Sequence, residues 1–314
     1  MDRPSRIRAV RVLLSAGLAA ALLFFLARVL ARSWREAGVY HWSVNGWWIA
    51  ASFAVLAVYF PLVAWIWARI VASLGERLPF RQACRVWFLS QMGKYVPGKI
   101  WYAMGRLYLS REAGLGLVPA SASTLLEILL VILAACGVFL LSLPVWPSHP
   151  GKDLLLIPAA LAAVALLVHP AVFGFLLRAG ARVLGREPVR YGLTWRGLAA
   201  TAAAYAATWL LYGAGIDFLL RGIRLEGVEA EMTIGAPARI LFFSGSAAIA
   251  WSIGFLSLFA PGGLGVREAS LAYFLSMHLA QPMPVLLALV ARIWIVIGEL
   301  ASAAIGWRLG RSRA

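Results

Sequence analysis

Acidic residues are scarce in this chain. Its 314 residues hold 13 Asp and Glu against 29 Lys and Arg, a formal net charge of +16. Charged residues of both signs reach only 13%, about half of the ~25% that a soluble domain carries. That poverty excludes an ordinary water-soluble globule. Cysteine is nearly absent: Cys84 and Cys136 cannot build a disulfide framework and read as idle thiols. The four histidines, His41, His149, His169 and His278, have no ligand spacing, so no metal site is expected. There is no phosphate-cradling Walker loop, no dinucleotide fingerprint and no nucleophile elbow. The sequence therefore offers no catalytic residue and implies no cofactor. The net positive charge lacks a polar domain with interleaved stacking aromatics, which argues against nucleic-acid binding. Glu36 is the sole acid between the first two apolar runs, poor support for a membrane glycosyltransferase with an acidic outer loop.

Apolar residues fill the space. They make up 62% of the chain, and the mean hydropathy is +0.82. Runs of about 20 apolar residues recur, each long enough to cross a hydrocarbon core of about 30 Å. Irregular backbone cannot face lipid, and the alternation of barrel strands is missing, so the fold class is all-α integral membrane. Six spans are read at 10–31, 46–71, 119–143, 154–177, 198–220 and 284–307. The first is taken as an uncleaved span rather than a signal peptide, because Arg28 and Arg32 follow it without a small-residue cleavage site. Trp47, Trp48, Trp65 and Trp67 are assigned to interfacial belts.

Basic residues cluster in the N-terminal head, in 69–111, in 178–196 and in the tail. All four lie on one side, the cytoplasm, if 80–112 and 236–280 each enter and leave on a single face. The whole of 1–314 then forms one membrane domain of two halves, 1–145 and 150–314, with inverted topology. Each half holds three spans and one interrupted, re-entrant hairpin. If 236–280 crosses fully, the protein has eight spans instead of six. Both termini are placed in the cytoplasm, in a bacterial-type inner membrane.

The interruptions are Lys94–Lys99, with Pro97-Gly98 between the lysines, and Pro261-Gly262-Gly263-Leu264-Gly265, followed by Arg267-Glu268. A proline ends a helix, and the next helix starts with free N–H groups and a positive dipole end. With Lys94, Lys99 and Arg106 nearby, that makes a phosphate-binding arrangement. The rival is a plain cytoplasmic turn whose lysines hold topology. Three glycines within four residues call for a positive-φ turn or close backbone approach. Glu127, Arg292 and Glu299 lie inside apolar spans, where an ion costs about 2.5–3.5 kcal/mol and so faces a partner or a cavity. Arg292 and Glu299 sit two turns apart, too far for a direct pair. Arg111-Glu112 follows the first break much as Arg267-Glu268 follows the second, though at a different offset.

The stretches KYVPGKIW…GR…REAG and PGGLGVREA, each followed by a span bearing a charge, resemble the flippase-like transmembrane region of lysylphosphatidylglycerol synthases (the multiple-peptide-resistance-factor family). The specific part covers about 93–127 and 260–292. The first motif departs from relatives that carry a Gly-Gly-x-Gly-Glu-like turn. The resemblance implies a lipid translocase that moves a phospholipid, aminoacylated lipid or polyprenyl- or hopanoid-type lipid between leaflets. It implies a site at the two Pro-Gly turns, with Arg267, Glu268, Glu127 and Arg292. Together with the reading of the residues above, the candidate headgroup site is Lys94, Pro97, Gly98, Lys99, Arg106, Gly262, Gly263, Arg267 and Glu268, with Glu127, Arg292 and Glu299 as the intramembrane charges. Since the sequence ends at Ala314, lysyl transfer by the synthases' soluble domain is not expected, and the protein is not read as an enzyme. Membrane lipids are the expected partners, with envelope-lipid enzymes or glycosyltransferases. The alternative is a non-transporting scaffold for such a glycosyltransferase.

Overall fold

The computed structural model describes residues 42–96, 100–147, 156–183, 185, 192, 194–225, 232–257 and 260–311. Within them lie ten α-helices and one two-stranded ribbon. The span expected at 10–31 falls outside the described residues, as do Pro97, Gly98 and Lys99.

Strand β1 (Trp42–Val44) leads into α1 (Gly46–Ser73). Asn45 caps α1, its side-chain oxygen accepting from the Trp47 N–H at 3.1 Å. Then come α2 (Phe80–Ser90), a 3-10 turn at Gln91–Tyr95, and α3 (Ile100–Glu112). With 11 and 13 residues, neither α2 nor α3 reaches the length of about 20 that a span needs. Ala83, Val86, Trp87 and Ser90 fall at helical spacing on the buried face of α2. Helix α4 (Leu117–Ser142), with 26 residues, is long enough to cross.

Helices α5 (Leu156–Val168) and α6 (Pro170–Val183) occupy the stretch read as one straight span at 154–177. They are bent by 63°. Pro170 drives the preceding residue out of helical geometry, and His169 Nδ1 caps the new helix by accepting from the Ala171 N–H at 3.2 Å.

Helix α7 (Trp195–Gly222), capped by Thr194, feeds β2 (Ile223–Leu225). Strand β2 pairs antiparallel with β1, Ser43 opposite Arg224. The Asn45 N–H donates to Gly222 O at 2.9 Å, while at the far ends of the two helices the Gly192 N–H donates to Ser73 O at 2.9 Å. Helices α1 and α7 are therefore antiparallel neighbours joined at both ends.

Helix α8 (Ala236–Leu256) has 21 residues and is long enough to cross. Its return arm, α9 (Val266–Leu275), has 10 and is not. Trp146, just past α4, meets both Phe242 near the start of α8 and Phe274 near the end of α9. The hairpin thus starts and finishes at one end of the molecule, and 236–280 does not supply two crossings. Helix α10 (Met283–Arg311) closes the described chain. Arg85 of α2 lies beside Gly310 and pairs with Glu112 at the end of α3 at 3.1 Å. The α2–α3 hairpin therefore opens at the C-terminal end of α10, opposite to the α8–α9 hairpin.

Five helices are long and apolar enough to cross a membrane, six spans if the bent α5–α6 pair counts as one. The protein is an all-α integral membrane protein.

Candidate functional site

The tips of the two hairpins meet. A side chain added at Gly262 would lie 3.5 Å from Lys94 O and 3.7 Å from the Tyr95 ring. Gly262 and Gly263 have φ of 60° and 71°, a region that side chains avoid. A Cβ at Gly263 would also sit 3.1 Å from Gly254 O of α8. The glycine run thus serves both purposes, turning the chain and letting it press against α8.

Around the tips, charges that no span should carry singly are paired. In the first hairpin Arg106 is fully buried. Its Nη1 donates to Glu127 Oε2 at 2.8 Å, its Nε to Ser90 Oγ at 2.6 Å and its Nη2 to the Tyr102 hydroxyl at 3.1 Å. The guanidinium lies over the Trp67 ring, 4.7 Å from its centroid. Trp67 is accordingly a core residue rather than part of an interfacial belt, whereas Trp47 and Trp65 are exposed. Glu127 also accepts from Trp87 Nε1 at 2.7 Å.

The second hairpin reverses the signs. Here the hairpin supplies the acid and the following helix the cation: Arg292 Nε stands 3.3 Å from Glu268 Oε1. The two are close enough to pair without being aligned as a hydrogen bond. Arg292 also donates to Gly262 O at 3.3 Å and lies over the Tyr95 ring. Glu268 reaches back with its other oxygen to the Gly265 N–H at 2.6 Å, closing the start of α9 as one half of a capping box. That helix end is occupied by the protein's own carboxylate. A bridge from the first tip to α10 completes the set, with Lys94 and the Tyr95 hydroxyl both donating to Glu299.

Arg267 stands apart. It is 9% exposed, yet it makes no ion pair among the described residues. Its Nη2 donates to the Tyr212 hydroxyl at 2.7 Å and its guanidinium lies over the same ring.

Several of these groups border one cavity, whose wall includes Tyr59, Lys94, Glu127, Arg267, Arg292 and Glu299. About 150 Å³ is open to the centres of water molecules, an order of magnitude above the ~10–15 Å³ that one water needs. It is a pocket with room for several waters among apolar helices.

A profile of a known family matches residues 9–302 of the chain: the lysylphosphatidylglycerol synthase transmembrane region. The chain belongs to that family. A search of curated proteins returns no match. In this member, Lys94, Arg106, Gly262, Gly263, Arg267, Glu268, Glu127, Arg292 and Glu299 gather at the two tips and the helices behind them. Pro97, Gly98 and Lys99 lie outside the described residues. Arg111-Glu112 is not at the site: Glu112 pairs at the hairpin base, and Arg111 is exposed. Sequence reasoning does not single out Tyr95, Tyr102 or Tyr212, although Tyr102 and Arg106 stand four apart, the spacing of helical neighbours. It misses Asp217 as well. Buried in α7, Asp217 takes Arg221 Nε at 2.8 Å and Arg239 Nε at 2.7 Å at the end where α8 starts. No cluster of His, Cys, Asp and Glu able to hold a metal occurs among the described residues. Both cysteines are buried and free.

Proposed function

We propose that this membrane protein moves a phosphate-bearing lipid between leaflets. The headgroup enters the cavity while the acyl chains stay in the bilayer. One observation carries the proposal: two hairpins that open at opposite ends of the molecule meet tip to tip at a pocket holding a buried guanidinium, Arg267, that makes no ion pair among the described residues. Hairpins from opposite faces give a headgroup a polar stop that each side can reach in turn. A buried cation without a carboxylate is costly unless an anion visits it. Basic residues Arg77, Arg81, Arg182, Arg196 and Arg308 mark the end where α2–α3 opens, which the positive-inside rule makes cytoplasmic. We place the protein in a bacterial-type inner membrane. No nucleotide motor is required: the lipid gradient, or a membrane potential worth about 2.3 kcal/mol per charge per 100 mV, can drive the movement.

Vesicles containing the purified protein and a head-labelled phospholipid, quenched from outside, test this. Wild type is expected to expose the inner-leaflet label, and Gly263→Val, which fills the contact with Gly254, to abolish the effect. Equal rates in protein-free vesicles and in both protein samples would remove transport as the function. Co-purification of an envelope-lipid enzyme under that outcome would leave a delivery or scaffold role.

A further inference from the structure

We infer that a slot between α4 and α8, open to the cytoplasmic leaflet and shut at the outer one, holds an acyl chain of the lipid whose phosphate the cavity receives. That the occupant is a lipid rests on the transport proposal above. The place of its chain, and the leaflet it comes from, rest on how the two helices pack.

Helices α4 and α8 are antiparallel and pressed together at the outer end. A Cβ at Gly245 would stand 2.0 Å from Ser142 Oγ and 3.4 Å from Phe139 Cα, so a side chain there would displace Ser142. Trp146 staples the same end. Its ring meets Phe139, Phe242 and Phe274, and its Nε1 donates to Ser142 Oγ at 3.0 Å.

The contact does not continue inward. Phe242, Gly245, Ile249, Ile253 and Leu256 recur at intervals of three and four, one stripe along α8. Phe242 is fully buried and Ile249 is 9% exposed, but Ile253 is 38% and Leu256 65% exposed. The facing stripe of α4 changes in the same direction. Ser142, Phe139 and Ala135 are buried, Val131 and Ile128 half-buried, and Leu125 is 51% exposed. Two helices whose facing stripes pass from buried to exposed have splayed apart.

The gap reaches the cavity. Val131 and Ile128 border it together with Trp251 and Phe255 of α8. Val131 and Phe255 lie about three turns inward of the Ser142–Gly245 contact, hence level with each other and about 15 Å deeper. Trp251 and Phe255 stack with ring planes 12° apart, a flat apolar wall. Behind that wall stands Arg267: a Cβ at Gly254 would lie 2.9 Å from its Cβ. An apolar slot leading to a buried guanidinium without an ion pair among the described residues fits an occupant with both a tail and an anion. The apolar run at 10–31 holds Arg11 and Arg28 and no acid, so it brings no charge that Arg267 lacks. A glycerophospholipid has both parts.

Two titrants of equal charge test the slot: dihexanoyl-phosphatidylglycerol, and glycerophosphoglycerol, the same headgroup without chains. Calorimetry on the protein in phosphatidylcholine nanodiscs, referenced to empty nanodiscs, is expected to show the lipid bound at least about tenfold more tightly than the headgroup. Val131→Trp, which fills the slot, should erase that advantage and leave headgroup binding unchanged. Leu141→Trp, on an exposed side of the closed outer end, should alter neither. Equal binding of the two titrants by wild type, or no binding of either, overturns the inference. So does an advantage that survives Val131→Trp.

A second measurement needs no filled slot. Benzoylphenylalanine placed at Val131 should, on illumination, attach to phosphatidylglycerol in membrane vesicles. With isotopically heavy phosphatidylglycerol supplied briefly to the exposed leaflet, heavy adducts are expected in inside-out vesicles and not in right-side-out ones; the reverse pattern overturns the leaflet and the inference with it. Adducts to peptides from 10–31 in place of lipid would give the slot to the chain's own first apolar run, and also overturn it. The vesicle crossing assay keeps the two proposals apart. Slot-dependent binding without crossing ends transport and leaves the slot standing. Crossing at the wild-type rate by Val131→Trp does the reverse.

Discussion

Lys94, on the tip of the first hairpin, and Glu299, deep in α10, form an ion pair although 205 residues separate them in the chain. Glu299 is buried and Lys94 largely so. The pair fixes one tip to the helix that also carries Arg292, the residue holding the other tip.

Breaking that pair from one side leaves a charge stranded. Glu299→Gln should cost about 3–5 kcal/mol, the range for an orphaned buried ion. Lys94→Met together with Glu299→Gln should recover much of the loss, because no charge is then unpaired. Thermal unfolding of the single and double variants in detergent checks this; a double variant no better than Glu299→Gln would contradict it.

Arg106 has a stricter demand. It makes three directed hydrogen bonds and is covered by the Trp67 ring. A lysine offers one point charge and no planar fork, so Arg106→Lys should not rescue the fold. It should unfold at a temperature close to that of Arg106→Met, whereas an intermediate value near wild type would show that charge alone suffices.

Two acids that look alike in sequence should differ sharply. Glu112 pairs with Arg85 where both side chains meet water, and Glu127 pairs with Arg106 where neither does. Glu112→Gln should change stability by no more than about 1 kcal/mol. Glu127→Gln should cost several times more. Melting curves of the two variants side by side decide it.

Glycines offer an internal control. Gly263 sits at positive φ against Gly254, whereas Gly137 in the middle of α4 faces open space, with nothing within 4 Å of where a Cβ would stand. Gly263→Ala should destabilise and slow transport. Gly137→Ala should stabilise by up to about 1 kcal/mol, the helix preference of alanine. Equal effects at both positions would mean that the tight turn is dispensable.

Much of this site is visible in the sequence because ions in apolar spans are expensive and therefore conspicuous. Glu127, Arg292 and Glu299 announce themselves that way, and the glycine run announces a turn. The partners are harder to see. Tyr95, Tyr102 and Tyr212 are amphipathic residues that also populate interfacial belts, so only the fold tells a belt tyrosine from one capping a guanidinium. Trp67 is misplaced for the same reason. Asp217 hides beside Arg221, four residues on, as an ordinary helical pair. The bend between α5 and α6 is readable at His169-Pro170, but averaging hydropathy over a window smooths it away. Whether 236–280 crosses once, twice or not at all depends on where α9 begins, which glycine torsions decide and apolar content does not.

The ribbon of β1 with β2 and the Gly192–Ser73 hydrogen bond fasten α1 to α7 at both extremities. A ladder rail tied top and bottom cannot splay. These two helices are therefore held as a single panel, and the pocket has no cleft to open down their seam; its other walls, the hairpins with α4 and α10, are not tied in this way to the panel.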